Sequence, residues 1–258
     1  MSATVVVAGA LDEFANGLEF LVSSNTDEYG GGQVGGPGEV GRLLSQHLQI
    51  SGFAVLFAVL IAVPVGLWLG HLGKGQLAAS TVANVGRAVP ALGVAAFLFA
   101  YLGPSKTNVI ITLTLLAIPP LFTNTYVGIR QVDRDVVDAA RGMGFSPLRI
   151  LLRLELPMAL PLIFGGLRTA AVSVVATATI APLVGVQSLG TPLIARGVYG
   201  SAGQIGAAIA VALLAIACEV VFALLQRAVT PKGLKLAGDQ RHKRRALTLT
   251  PTRKVQAP

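Results

Sequence analysis

The chain has 258 residues, 53% of them hydrophobic and only 12% charged, with a mean hydropathy of +0.70. The charges gather between long uncharged runs, which excludes an ordinary soluble domain and describes a polytopic membrane protein. The net charge of +8 follows that membrane pattern rather than a nucleic-acid surface, and the lone Cys218, set in an apolar run, excludes an intramolecular disulfide framework.

Residues 1–49 read as an extracytoplasmic N-terminal segment. Val5 to Leu11 is weakly apolar and too short to span a bilayer, and no Lys or Arg precedes Arg42, so the basic start of a signal peptide is missing. Gly30-Gly31-Gly32 and Gly35-Gly36-Pro37-Gly38 read as a flexible linker; no Gly-Lys-Ser/Thr follows that would make them a phosphate cradle. Val40, Leu43, Leu44 and Leu48 lie at helical spacing in an approach helix over residues 38–49.

A membrane-embedded body of five spans follows over residues 50–229. The first, 50–70, has no charge, Pro64 and Gly66 to kink it, and Trp68 near its end, where an indole favours the interface. The second, 84–102, carries Arg87 near its start and Pro90 one turn later. The third, 109–129, holds Pro119-Pro120, which remove two backbone donors and predict a bend or local opening. After a charged segment, 132–157, the fourth span covers 159–186 with Arg168 in its first third. A Gly- and Pro-bearing loop over 187–204 leads to the fifth, 205–228, which contains Glu219. Residues 230–258 form a polar, basic tail, with Arg241, Lys243, Arg244 and Arg245 suited to anionic lipid headgroups and without aromatics for stacking on bases. Placing the turn at Lys74, the stretch from Arg130 to Arg153 and everything from Arg227 onward on one side puts fifteen of the twenty Lys and Arg residues there. The positive-inside rule then predicts an N-terminus outside and a C-terminus in the cytoplasm.

The segment VVDAARGMGFSPLRILLRLELP, from Val136 to Pro157, is charged yet lies between apolar spans. Asp133, Asp135, Asp138 and Glu155 alternate with Arg134, Arg141, Arg149 and Arg153, the pattern of solvated helix faces. Gly142 and Gly144 break a first short helix. Ser146 caps a second, with Pro147 at its first position; Leu148, Leu151 and Leu152 share one face, and Leu156-Pro157 ends it.

Asp138-Ala139-Ala140, then Gly144, then Leu154 and Leu156-Pro157 resemble, at fixed spacing, the "EAA" motif of ABC importer permeases, with Asp138 for Glu and Leu154 for Ile. The resemblance implies an all-α polytopic fold of the type I ABC importer permease arrangement, five transmembrane helices with a cytoplasmic coupling hairpin. It also implies that Asp138, Ala139, Ala140, Gly144, Leu154 and Pro157 engage a groove of an ATPase subunit. Further stretches, among them NVGRAVPALG from Asn84 to Gly93 and TIAPLVG from Thr179 to Gly185, resemble the glycine betaine, carnitine, choline and proline osmoprotectant importers. Such a permease pairs with a second one, identical or paralogous, and works with ABC ATPase subunits and an extracytoplasmic solute-binding protein in a prokaryotic plasma membrane. On that expectation this chain is no enzyme and binds no cofactor; ATP and Mg²⁺ belong to the partner ATPase. The alternatives are a permease for another small polar solute, such as an amino acid, and a stand-alone secondary transporter, which would leave the hairpin unexplained.

Charged groups inside spans are functional candidates by default. Arg87 and Arg168, near the cytoplasmic ends of their spans, either snorkel and cap helix ends or line the pathway. Glu219, deeper in its span, either pairs with Arg87 or Arg168 or lines the path or a gate. Enzyme chemistry finds no support: Gly103-Pro104-Ser105-Lys106-Thr107 only echoes a phosphate loop, and His47, His71 and His242 lie on separate segments, with no metal site implied.

Overall fold

The computed structural model describes residues 3–26, 29–30 and 32–230; of residues 3–8, 10 and 87 it describes the backbone alone. The basic tail beyond Thr230, with its lipid-facing cluster, lies outside the described residues. The chain order is α1 (Ala3–Val22), a small antiparallel hairpin of β1 (Ser24–Thr26) and β2 (Gln33–Gly35), α2 (Gly36–His71), α3 (Gln76–Ala88), α4 (Ala91–Leu102) and α5 (Lys106–Arg130). Then come α6 (Arg134–Gly142), α7 (Pro147–Ile150), a π-helical turn (Leu151–Glu155), α8 (Leu156–Thr177), a 3-10 segment (Ala178–Val184), α9 (Thr191–Ile194) and α10 (Arg196–Val229).

Among the described residues four helical runs are long and apolar enough to cross a membrane: α2, α5, the run Pro147–Val184, and α10. A fifth crossing exists only as a bent pair. Gln76–Gly86 and Ala91–Leu102 meet at 86°, where one span over 84–102 was expected. The break is local chemistry: Val89, forced out of the helical region by the following ring, is extended at φ −77° and ψ 119°, and Pro90 has no N–H to continue the ladder. Conversely, the approach helix and first span fuse into one 36-residue helix, about 54 Å long at 1.5 Å per residue, well beyond the ~30 Å hydrocarbon core. Pro119 and Pro120 do not open α5, which stays helical through both.

On its α5-facing side α2 is lined by small residues. Ala54, Ala58, Ala62, Gly66 and Gly70 form a buried stripe down α2 against α5. A Cβ on Gly70 would meet the Ile129 Cβ at 2.8 Å, and one on Gly66 would meet the Thr125 Cβ at 2.9 Å, so the backbones approach as closely as glycine allows. On its other side α5 packs against α8, where Gly166 faces Asn124 and Gly128 faces Ala159. His47, fully buried, donates from Nε2 to the Val175 carbonyl at 2.9 Å, tying α2 to α8.

Of the expected flexible linker, Gly35 and Gly36 form instead a packed corner, while Gly31 lies outside the described residues. Gly35 and Gly36 hold φ of +81° and +72°, and a Cβ on Gly35 would fall 2.7 Å from the Phe20 carbonyl. The Glu39 carboxylate accepts from the Gly35 N–H at 2.7 Å and from the Tyr199 hydroxyl at 2.9 Å, closing the corner onto α10. The bundle therefore has two poles. One gathers α1, the β-hairpin, the start of α2 and residues 187–200; the other gathers the ends of α2, α5 and α10 with residues 132–157.

Candidate functional site

The hairpin at the second pole is built from three local devices. Asp133 caps α6, its carboxylate accepting from the Asp135 N–H at 3.0 Å. The helix ends in a left-handed glycine, Gly144 at φ +82°, with Phe145 N–H on the Ala140 carbonyl and Gly144 N–H on the Arg141 carbonyl, the paired bonds of a Schellman stop. Pro147 then opens α7. Gly142, expected to share in breaking α6, is its last helical residue; a single glycine suffices. Ser146 occupies the capping position but its side chain makes no capping bond.

The second arm differs from expectation. Ile150 and Leu151 are buried, while Leu148 and Leu152 are 62% and 50% exposed, so the three leucines do not share one face. Nor does Leu156-Pro157 end the helix. The Leu156 N–H reaches back five residues to the Leu151 carbonyl, a π turn that shifts the register just before Pro157; the ring then sits in the first turn of α8, where its missing N–H costs little. Ala140 faces inward, packed with Val132, Val137 and Ile150, so it shapes the hairpin rather than presenting itself to a partner. What faces out is Asp138, paired to Arg141 at 3.2 Å, Ala139, and an apolar set of Val136, Met143, Phe145, Leu148 and Leu152. Leu154 packs partly against the inner cluster.

Glu155, read from the sequence as a solvated charge, is fully buried. Its Oε2 lies 2.5 Å from His71 Nδ1 at the end of α2, and its Oε1 lies 3.4 Å from Arg134 Nη1 at the start of α6. Nothing in the local spacing distinguishes it from the exposed carboxylates nearby; only the end of α2, 84 residues away, buries it.

Within the spans, Arg168 of α8 and Glu219 of α10 form an ion pair at 2.6 Å, both side chains partly exposed on the flank of the bundle. Arg87 lies in α3, its side chain outside what the structure describes. A second feature was not foreseen. Two adjoining cavities, of about 320 and 410 Å³, run along α3, α5 and α8 and share Ala83 and Thr123. The first carries four neutral polar side chains, Thr123, Asn124, Thr169 and Ser173, in a mostly apolar lining that includes Leu116, Pro119 and Pro120; the second leads past Tyr126 to Gln76 and Arg130 at the hairpin pole. The Thr123 hydroxyl is buried without a hydrogen-bond partner. A cluster of Thr and Asn around Pro119-Pro120 was the available sequence signal.

Residues 54–234 match the family described as binding-protein-dependent transport system inner membrane component. The glycine betaine/carnitine/choline transport system permease protein OpuCB of Bacillus subtilis (strain 168) is 34% identical over 77% of this chain and 92% of its own length. The choline transport system permease protein OpuBB of the same organism is 34% identical over 74% and 88%. The osmoprotectant import permease protein OsmY of Salmonella typhimurium is 32% identical over 72% and 80%. Among solved structures, the inward-facing MetNI methionine ABC transporter aligns with a TM-score of 0.64 at 21% identity, over 74% of this chain and 96% of that one, and so shares its fold. On the family match and these identities together, the chain belongs to the binding-protein-dependent transport system inner membrane components.

Proposed function

We propose that this chain is the membrane-spanning permease subunit of an ATP-driven importer for small osmoprotectants of the glycine betaine, choline and carnitine class. The substrate class rests on the relatives' names, and the uncharged groove between α3, α5 and α8, mostly apolar with four neutral polar side chains, suits it. A cationic or zwitterionic quaternary ammonium needs a path that exposes hydroxyls and amides without gripping it by a full opposite charge.

The observation that carries the reading is the hairpin: a bracket between two spanning helices, with exposed apolar side chains set beside the Asp138–Arg141 pair on its outer side, projecting at the pole where α2, α5 and α10 end. A free surface of that kind is a docking face, and in this reading its occupant is the ATPase subunit, which binds ATP and Mg²⁺. This chain does not itself hydrolyse ATP. Closure of the ATPase dimer displaces α6, and the displacement is a population shift of the bundle between inward- and outward-open states. A second permease subunit completes the path, and a solute-binding protein delivers solute at the opposite pole. The N-terminus lies outside and the C-terminus in the cytoplasm.

The test is Ala139→Asp, which places an unpaired carboxylate in the docking contact at a position exposed in the free subunit. Membrane abundance should be normal, ATPase pull-down weak and solute uptake lost. Full uptake with the ATPase bound refutes the docking assignment.

A further inference from the structure

Glu155 ties together three elements that must move relative to one another if the hairpin transmits force. It belongs to the π turn of the returning arm, His71 is the last residue of α2, and Arg134 is the first of α6, four residues before Asp138. The two grips are unequal. His71 holds one carboxylate oxygen at 2.5 Å, whereas Arg134 reaches the other with a single nitrogen at 3.4 Å. Arg134 Nε and Nη2 are buried with no hydrogen-bond partner. Buried guanidinium donors are rarely left so, because each has given up water without a replacement, and an Arg–carboxylate pair has a stronger bidentate arrangement within reach. The π turn that carries Glu155 is itself a register fault of the kind that concentrates at moving parts.

We propose that Glu155 is the positioning residue that transmits movement of α6 to α2, with Arg134 exchanging between the single contact seen here and a bidentate grip when the hairpin is loaded. His71 anchors the carboxylate to α2 in both states, so a shift of α6 is delivered to the end of a helix whose small-residue stripe packs along α5, one wall of the groove. This inference rests on the reading that the hairpin docks the ATPase.

The experiment uses the reconstituted transporter and reads four quantities: abundance, ATPase association, ATP hydrolysis, and solute imported per ATP hydrolysed. Arg134→Lys keeps the charge but removes the fork. Abundance, association and hydrolysis should persist, while solute per ATP falls about fivefold or more, the lower end of usual coupling energies. The apolar set Glu155→Leu, His71→Leu and Arg134→Leu removes every member at once, which a purely structural ion cluster tolerates. That variant should assemble and hydrolyse ATP yet import poorly. Wild-type solute per ATP in the apolar set overturns the transmitting role, and a wild-type ratio in Arg134→Lys overturns the exchange of grips. Should the apolar set fail to accumulate, Arg134→Lys decides alone. A Met143→Cys crosslink to the ATPase in the wild-type background separates the two ideas: its absence overturns the docking reading, its presence with unchanged ratios overturns only this one.

Discussion

Gly144 shows how much a single backbone angle can decide. A Cβ there would meet nothing within 4 Å, so space is not the constraint; φ of +82° is. A β-branched residue in that region costs about 1–2 kcal/mol or more, which the short α6 turn can relieve only by moving. Gly144→Val should therefore leave membrane abundance normal, weaken ATPase association and abolish uptake, whereas Gly144→Asn, which tolerates the left-handed region, should retain most of it. Pull-down and uptake in the same membranes check both. The Arg168–Glu219 pair belongs to the same scale. Its members sit on the flank of α8 and α10, in an environment where water is scarce, so removing one strands the other. Glu219→Gln should lower yield and thermal stability, and adding Arg168→Gln should recover them if the pair is structural. If the single variant assembles normally but transports poorly, the carboxylate serves the path instead.

At the scale of elements, the sequence was legible where the signal is local. The Gly144 stop, Pro147 at a helix start and the apolar runs of α2, α5 and α10 all read directly, because each depends on its own neighbours. Three features did not. Pro90 was visible, but hydropathy carries no direction, so a run with an 86° break scores like a straight span. Gly35 and Gly36 read as flexible linker, because a glycine run looks the same whether it is loose or closely packed; Phe20 and Ser24 folded against them show the packing. Glu155 looked like its exposed neighbours because its burial is a tertiary fact. The α2–α5 contact supplies a test at this scale. Gly70→Val forces a Cβ to within 2.8 Å of Ile129, an overpacking that costs roughly 1–3 kcal/mol. The thermal midpoint of the purified protein should fall, while Gly52→Ala on the same helix, with open space around it, should leave it unchanged or higher.

For the whole molecule, the question is which pole faces the cytoplasm. The fold separates two poles without saying which side of the membrane each occupies. The Glu39–Tyr199 contact and α1 mark one; the His71–Glu155 contact, the Gln226–Pro161 bond and the hairpin mark the other. Charge assigns them. Lys74, Arg130, Arg134, Arg141, Arg149, Arg153 and Arg227 all gather at the hairpin pole, while Arg42, Lys106 and Arg196 are spread over the other, so the positive-inside rule predicts that the hairpin faces the cytoplasm. The opposite insertion would leave the docking face of Met143 and Leu148 out of reach of any ATPase. Cysteine labelling in intact cells that express this subunit without its ATPase, in a Cys218→Ala background, decides between them. Met143 and Tyr29, 70% and 79% exposed, stand at opposite poles and are accessible in the folded chain. Tyr29→Cys should react with a membrane-impermeant maleimide added outside, and Met143→Cys should react only after the membrane is permeabilised. External labelling of Met143→Cys would invert the topology and, with it, remove the hairpin from any route by which ATP could drive transport.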